Sequence, residues 1–394
     1  MHSNKIVQAM AQWQPQAVAL RRALHAHPEL GFEELQTQSL IVATLQSYGV
    51  TEINVDFAQT AVVAVIDGAL GSGPSIGLRA DMDALPITEA NEFAHRSTQA
   101  GKMHACGHDG HTSMLLMAAR YLSQNRGFKG RVVLIFQPAE EGLGGAGKML
   151  AEGVLAAYPI DACYALHNMP GLPVGHFAFK RGSIMASSDR LFITVTGQSG
   201  HAGQPHRARD PLLVATHIYQ AIQGMVSREF DPLAPVVVSI TQIHGGETNN
   251  VIGAEAKLSG TFRTHSHEVR RAVIEKLERI VTHTAAAFGM SAEFTLGPVS
   301  HPPTVNTDAE YAMAVAAATR VVGAEAVDVA CAAYMTSEDF ALFLEQVPGC
   351  YGLIGNGETE AHCSIGLHNK HYDFNDDITP IGAAFFVAVV EGHQ

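Results

Sequence analysis

Three short apolar runs, at 75–80, 131–136 and 162–166, each stop at a cluster of ligand-type side chains, and this repetition constrains the fold more than any other feature. The first stops at Asp81 and Asp83, the second at Gln137, Glu140 and Glu141, and the third at His167 and Asn168. Short runs of continuous apolar residues suit strands that are buried on both faces. A fourth run at 61–67 adds another strand, and helix-period apolar positions at 4–25 and 34–48 are parted by Pro28 and Gly31. Strands alternating with helices predict a mixed α/β sheet covered by helices, with its chemistry at the strand ends. His25 and His27 border the Pro28 break, where a capping or surface role is the expected one.

The stretch 103–111 holds His104, Cys106, His108 and His111, with Gly107 and Gly110 between them. A lone Cys or His is usually a packed or solvated side chain. Cys106 and His108, two residues apart, converge on one ion only where the backbone turns, which Gly107 permits. From His111 onward the chain reads as a strongly apolar helix, which places the pair at a helix N-terminus. There the dipole and a bound cation together favour thiolate at Cys106. Glu140 and Glu141 repel if both are free, and a divalent cation relieves that by binding one of them. The other is then placed to act as general base toward a water held by the ion. An exposed acidic pair at a helix start is the plainer alternative, and the company of Cys106 and His108 favours the catalytic reading. Near the C-terminus, before an apolar helix at 378–391, His368 and His371 are both within reach of such a site, and local pattern does not choose between them.

At 394 residues two domains are expected. The segment 189–297 reads as strand (190–197), helix (210–228), strand (235–243), strand (255–263), helix (266–288), strand (291–296). That βαββαβ order predicts a ferredoxin-like domain inserted into the catalytic one, with boundaries at 1–185 and 299–394 for the catalytic domain and 186–298 for the insert. An insert on short connections invites hinge motion. Within it His201, Asn250 and Arg263 sit in polar islands near strand ends, and the Arg263 guanidinium suits a bidentate grip on a carboxylate.

A net charge of −13 with no Lys/Arg run argues against nucleic acid and against an anionic membrane surface. No uninterrupted apolar stretch of ~18 residues spans a membrane. The five cysteines have no framework spacing and the first ten residues lack a signal-peptide pattern, so a cytoplasmic location is expected.

The ordered set of 77–86, 103–111, 136–142, 165–168, 200–202 and 367–376 resembles the M20 metallopeptidase family, over essentially the whole chain. More narrowly it looks like the amidohydrolase branch of hippurate hydrolases, N-acyl amino acid amidohydrolases and plant auxin-conjugate hydrolases. The resemblance implies two divalent ions per subunit held by Cys106, His108, Glu141, His167 and His368, with Cys106 bridging. It implies Glu140 as general base, and His201, Asn250 and Arg263 meeting the oxyanion and the substrate carboxylate. It also implies a homodimer formed through the lid domains, with His201 reaching the partner's site. Arg79 and Cys106 stand where peptidase relatives carry a histidine and a carboxylate, which supports the narrower branch. Manganese or zinc is expected, with cobalt and nickel also compatible with this donor set. The implied reaction is hydrolysis of an N-acyl amino acid to a carboxylic acid and an amino acid. A dipeptidase or carboxypeptidase, an N-acetyl-diaminopimelate deacetylase and a non-catalytic metal-binding protein are the alternatives.

Overall fold

A computed structural model describes residues 5–394, and the start of the first expected helix, at residue 4, lies outside them. Two compact units divide the chain. One comprises the chain up to Ile184 together with Val305–Ala332 and Asp339–Gln394; the other comprises Met185–Thr304 and Ala333–Glu338.

The first unit is built on a mixed sheet of strands β1 (Glu52–Asn54), β2 (Val62–Asp67), β3 (Ser75–Asp81), β4 (Arg131–Gln137), β5 (Ala162–Pro170), β6 (Phe177–Ala178), β11 (Val327–Asp328) and β12 (Gly349–Gly357). β7 to β10 belong to the other unit. The spatial order is β1-β2-β4-β3-β5-β12-β6-β11. The four central strands, β4, β3, β5 and β12, run parallel, so their C-terminal ends share one edge of the sheet. Their side chains are buried almost throughout, as expected of strands with helices on their faces.

Helices α1 (Gln14–Ala26), α2 (Leu35–Ser47), α3 (His108–Gln124), α6 (Asp308–Val322) and α7 (Thr379–Gly392) cover this sheet. α7 packs on α3 and α6, and α3 lies against β3. Thirteen of the 17 residues of α3 are buried, so this helix is a core element held on all sides. The helix expected over 4–25 is two, Lys5–Ala11 and α1. Pro15 explains the break: it lacks an N–H and is tolerated only in a first helical turn, so it starts α1.

β5 extends beyond its apolar run to Pro170, because His167 and Asn168 are level with Leu353 and Ile354 of β12. β12 itself has no recognisable strand pattern. It is rich in glycine because its neighbours press close: a Cβ at Gly352 would meet the Phe179 ring at 2.2 Å.

The second unit carries β7 (Ser188–Thr196), α4 (Pro211–Arg228), β8 (Val236–Gly245), β9 (Glu255–Thr264), α5 (His267–Ala287) and β10 (Ser291–His301). Its antiparallel sheet has the order β8-β9-β7-β10. Leu191, Ile193 and Val195 of β7 alternate inward onto Val214, Ile218 and Ile222 of α4 and Leu277 and Val281 of α5. Asp210 and Ser266 cap the two helices by accepting from Leu212 and Val269 N–H. No described helix is long and apolar enough to cross a membrane.

Candidate metal centre

Parallel register assembles the site. Asp81 of β3 is level with Gln137 of β4, and Arg79 is level with Ala165 of β5. Two residues further along that register β5 presents His167. The three polar clusters therefore meet at one edge, where loops and helix N-termini converge.

Cys106 and His108 reach the same edge through one backbone turn. Gly107, the residue capping α3, has φ of 95°, and a Cβ there would meet Asn168 Oδ1 at 2.2 Å. Only glycine satisfies both conditions. The helix begins at His108, three residues before the expected start, so His108 and His111 lie on its first turn.

The donor atoms fall into overlapping sets, each with its atoms within 4.8 Å of one another: Cys106 with His108 and His167, Cys106 with Glu141 and His368, and His108 with Glu140 and Glu141. Cys106 Sγ is 3.4 Å from His167 Nε2, and His368 Nε2 is 3.3 Å from Glu141 Oε1. Sharing of Cys106 between two sets gives it a central place. Of the two C-terminal histidines, His368 joins such a set and His371 joins none among the described residues. His368 adopts a left-handed φ of 63°, and its N–H donates to Ala105 O at 2.7 Å, beside Cys106.

Charge balance tests whether these groups suit a cation. Burial pushes the Cys106 thiol well up, and the Glu141, Glu140 and Asp81 carboxylates push it further. Thiolate there needs a positive charge beyond what the helix dipole supplies. His108 Nε2 and Glu141 Oε1 are buried without a hydrogen-bond partner among the described residues, a costly state for two polar atoms. Burial holds His167 well below its ordinary value, with His111 adding to the effect. Its Nδ1–H donates to Asn168 O at 2.7 Å, which leaves the Nε2 lone pair facing Cys106. Sulfur, imidazole and carboxylate donors with orphaned atoms fit a divalent ion of the zinc or manganese type.

A surrounding set of carboxylates orients these donors. Asp83 Oδ1 is 3.2 Å from His108 Nδ1, and Asp83 Oδ2 accepts the Glu141 N–H at 3.0 Å. Burial opposes a charge on His108, but Asp81, Asp83 and Glu141 outweigh it and raise this imidazole to about 10. His111 bridges Asp81 Oδ1 at 2.6 Å and Asn168 Oδ1 at 2.7 Å. Buried Arg79 donates to Asp81 at 2.7 Å, to Gln137 at 2.9 Å and to Asp339 at 3.2 Å.

A second buried cation stands behind the loop. Arg21 of α1 donates to Asp109 at 2.8 Å, to Asp376 at 3.4 Å and to Asp373. His25 shares Asp109 at 2.8 Å and also meets Glu89 at 3.3 Å. The surface or capping role expected at His25 is thus replaced by full burial, whereas exposed His27 does bond back to Ala23 O. The strand-end clusters signalled Asp81 and Asp83, but nothing local signalled Arg21, which sits on a helix that reads as amphipathic.

In the second unit, His201 pairs with Val251 in a small exposed ribbon, and Asn250 O accepts the Ala202 N–H. Arg263 lies on β9, with its Nη1 buried and lacking a hydrogen-bond partner among the described residues. Burial lowers its pKa. An unsatisfied guanidinium nitrogen of this kind suits an incoming carboxylate.

Residues 77–392 match peptidase family M20/M25/M40. The chain is 40% identical to IAA-amino acid hydrolase ILR1-like 2 of Arabidopsis thaliana, over 94% of this chain and 84% of that one. It is 38% identical to N-acetylcysteine deacetylase of Bacillus subtilis, over 94% of each. A solved dinuclear metal-binding peptidase of the M20 family from Bacillus subtilis superposes with a TM-score of 0.84 at 35% identity, over 96% of this chain and 97% of that one. On the strength of its length-wide match and its strand-end donor set, this chain belongs to peptidase family M20/M25/M40.

Proposed function

We propose that the amide bond this hydrolase cleaves is that of an N-acyl amino acid, releasing a carboxylic acid and a free amino acid. The observation that carries the reading is the sharing of Cys106 between a His108/His167 set and a Glu141/His368 set, with Glu140 beside them. In this reading Cys106, His108, Glu141, His167 and His368 would hold two divalent ions, manganese or zinc first. When bound, such ions lower the pKa of water toward neutrality and polarise the acyl carbonyl. Glu140 takes the proton of the attacking water and returns it to the departing amine nitrogen. His167 keeps its Nε2 lone pair for a ligand role because Asn168 O occupies its other nitrogen. Asp83 fixes the ring of His108 and the backbone of Glu141 together.

The second unit serves as a ferredoxin-like lid and dimerisation domain in this reading. Its antiparallel sheet, in which the strands lie in the spatial order second, third, first, fourth, supports that assignment. Arg263 grips the substrate carboxylate, while His201 and Asn250 donate to the oxyanion, His201 in the partner subunit's site of a homodimer. The five free thiols support a reducing, cytoplasmic setting.

The test is a substrate panel of hippurate, N-acetyl amino acids, an indoleacetyl amino acid and dipeptides. Chelator-stripped protein is refilled separately with manganese, zinc, cobalt or nickel. Metal-restored cleavage of N-acyl amino acids over dipeptides is expected, and preference for dipeptides moves the protein to the peptidase reading. Glu140→Gln should lower kcat by about 100- to 10,000-fold with metal content unchanged; retained turnover removes Glu140 from the base role.

A further inference from the structure

The turn that carries Glu140 is held from outside by a buried acid that none of the donor sets includes. Ala139, immediately before Glu140, has a left-handed φ of 56°. A residue with a Cβ persists there only where its surroundings over-determine it. One of those constraints is Glu34, the residue that opens α2 and is fully buried. Its Oε1 accepts the Ala139 N–H at 3.0 Å, and its Oε2 accepts the Thr60 hydroxyl at 2.6 Å. The Ala139 carbonyl is taken up in turn by the Gly145 N–H at 3.0 Å. On the far side of Glu140, Asp83 accepts the Glu141 N–H. The Pro138–Ala139 peptide that leads into the proposed base and the Glu140–Glu141 peptide that follows it are therefore each held by a carboxylate from a distant segment.

The mount of Glu34 is itself rigid. Glu29, five residues earlier, caps α2 by accepting from Gln36 and Thr37 N–H at 3.2 and 2.9 Å, and its carbonyl accepts from Ala84 N–H at 2.8 Å. Contact with the Glu140 turn is direct: a Cβ at Gly31 would lie 2.9 Å from Ala139 Cα and Cβ. Asp83 also touches His108, so altering it disturbs a donor as well as the turn. Among the described residues the side-chain hydrogen bonds of Glu34 to other segments go to the turn and to Thr60, and to no residue of the donor sets.

We infer that Glu34 is a positioning residue for the reaction, which sets the direction of the Glu140 carboxylate by clamping the Pro138–Ala139 peptide and with it the left-handed Ala139 from which Glu140 springs. The inference rests on Glu140 being the base. Burial raises Glu34 to about 7, so a neutral amide of the same shape suits its pocket. An error of about 1 Å in the placement of a reacting group costs about 100-fold in rate.

Five proteins decide the matter: the parent, Glu34→Ala, Glu34→Gln, Glu140→Gln and the double variant Glu34→Ala with Glu140→Gln, each loaded with the metal that best supports the parent and assayed for bound metal per chain, melting temperature, kcat and KM. Glu34→Ala should lose about 100-fold in kcat, with KM and metal content near those of the parent. Glu34→Gln, which retains an acceptor for the Ala139 N–H, should recover most of that loss. Glu34→Ala in the Glu140→Gln background should add little further loss, because a residue acting through Glu140 has nothing left to position. Parental kcat in Glu34→Ala overturns the inference, as does full additivity with Glu140→Gln or a fall in kcat that tracks lost metal. Should Glu34→Ala fail to fold, Thr60→Val removes the second anchor of the carboxyl and should lower kcat several-fold without additivity; a parental value there also overturns it. Turnover surviving in Glu140→Gln, by contrast, refutes the base assignment itself.

Discussion

Replacing Arg21 by Met is the sharpest test of how the first unit is held together. Methionine has much of the length of arginine and no charge, so the change keeps most of the packing volume and deletes the cation. Arg21 is fully buried and meets Asp109 at 2.8 Å, Asp376 at 3.4 Å and Asp373. Burial opposes a charged guanidinium, but these three carboxylates outweigh it and hold Arg21 firmly protonated. Without it, among the described residues Asp109 keeps His25 at 2.8 Å and Asp373 keeps His95 at 3.0 Å. Removing one partner from a buried ion network costs about 3–5 kcal/mol, because the remaining charges stay desolvated and uncompensated. A protein of ordinary stability has about 5–15 kcal/mol in total, so this is a large share. At roughly 2 °C per kcal/mol for a unit of this size, the melting temperature should fall by roughly 6–10 °C. Calorimetry on the metal-loaded protein measures it. Adding Asp109→Asn should restore part of the loss by neutralising the stranded carboxylate. A single variant that melts within about 2 °C of the parent refutes the reasoning, as does a double variant in which the losses simply add.

Two further outcomes follow from the same geometry. Burial and the nearby Arg21 oppose protonation of His25, but Asp109 and Glu89 raise it from 6.5 to about 9. Its contribution, about 3 kcal/mol at most, is therefore complete below pH 6.5 and lost as pH rises through 9. The melting temperatures of the parent and of His25→Gln, followed from pH 6 to 10, should converge at the alkaline end; a constant gap removes His25 from the linkage. Stripping metal should lower the melting temperature, since each ion at 100 times its Kd adds about 2.7 kcal/mol to the folded state. Cys106→Ser should shrink that difference and reduce metal per chain, whereas an unchanged metal content argues against a shared thiolate.

Much of the sheet and the donor set is visible in the linear chain for a simple reason. β3, β4 and the first part of β5 are buried on both faces, so their sequences are plainly apolar, and their polar tips stand out. Cys106 and His108 stand out likewise, because Gly107 marks the turn that lets them converge. What stayed hidden depends on remote partners. β12 looks like a loop because its glycines answer to Phe179 and other close neighbours rather than to its own strand. Arg21 reads as a surface residue because the carboxylate that justifies its burial at Asp109 lies 88 positions away. Local pattern left His368 and His371 level and the family resemblance alone chose His368, because what brings that residue beside Cys106 is a left-handed φ and a bond to Ala105 O. Glu34 escaped for the same reason, since its partner Ala139 is 105 residues further on.

The discontinuous make-up of the first unit also sets an order of events during synthesis. Arg21 leaves the ribosome well before its partner Asp373, which follows it by 352 positions. At about 5–20 residues per second, Arg21 waits roughly 20–70 s for that partner. His368 comes from the same late stretch, as does α7, whose burial covers α3. The unit formed largely by Met185–Thr304 is nearly contiguous and has its own apolar core, so it is able to close while the larger one is still missing β12 and α7. Nascent chains stalled before residue 368 therefore lack one of the proposed metal ligands while the inserted unit is already complete enough to fold. In the cell, this interval is when holding factors and proteases meet the chain, and it ends only when α7 docks.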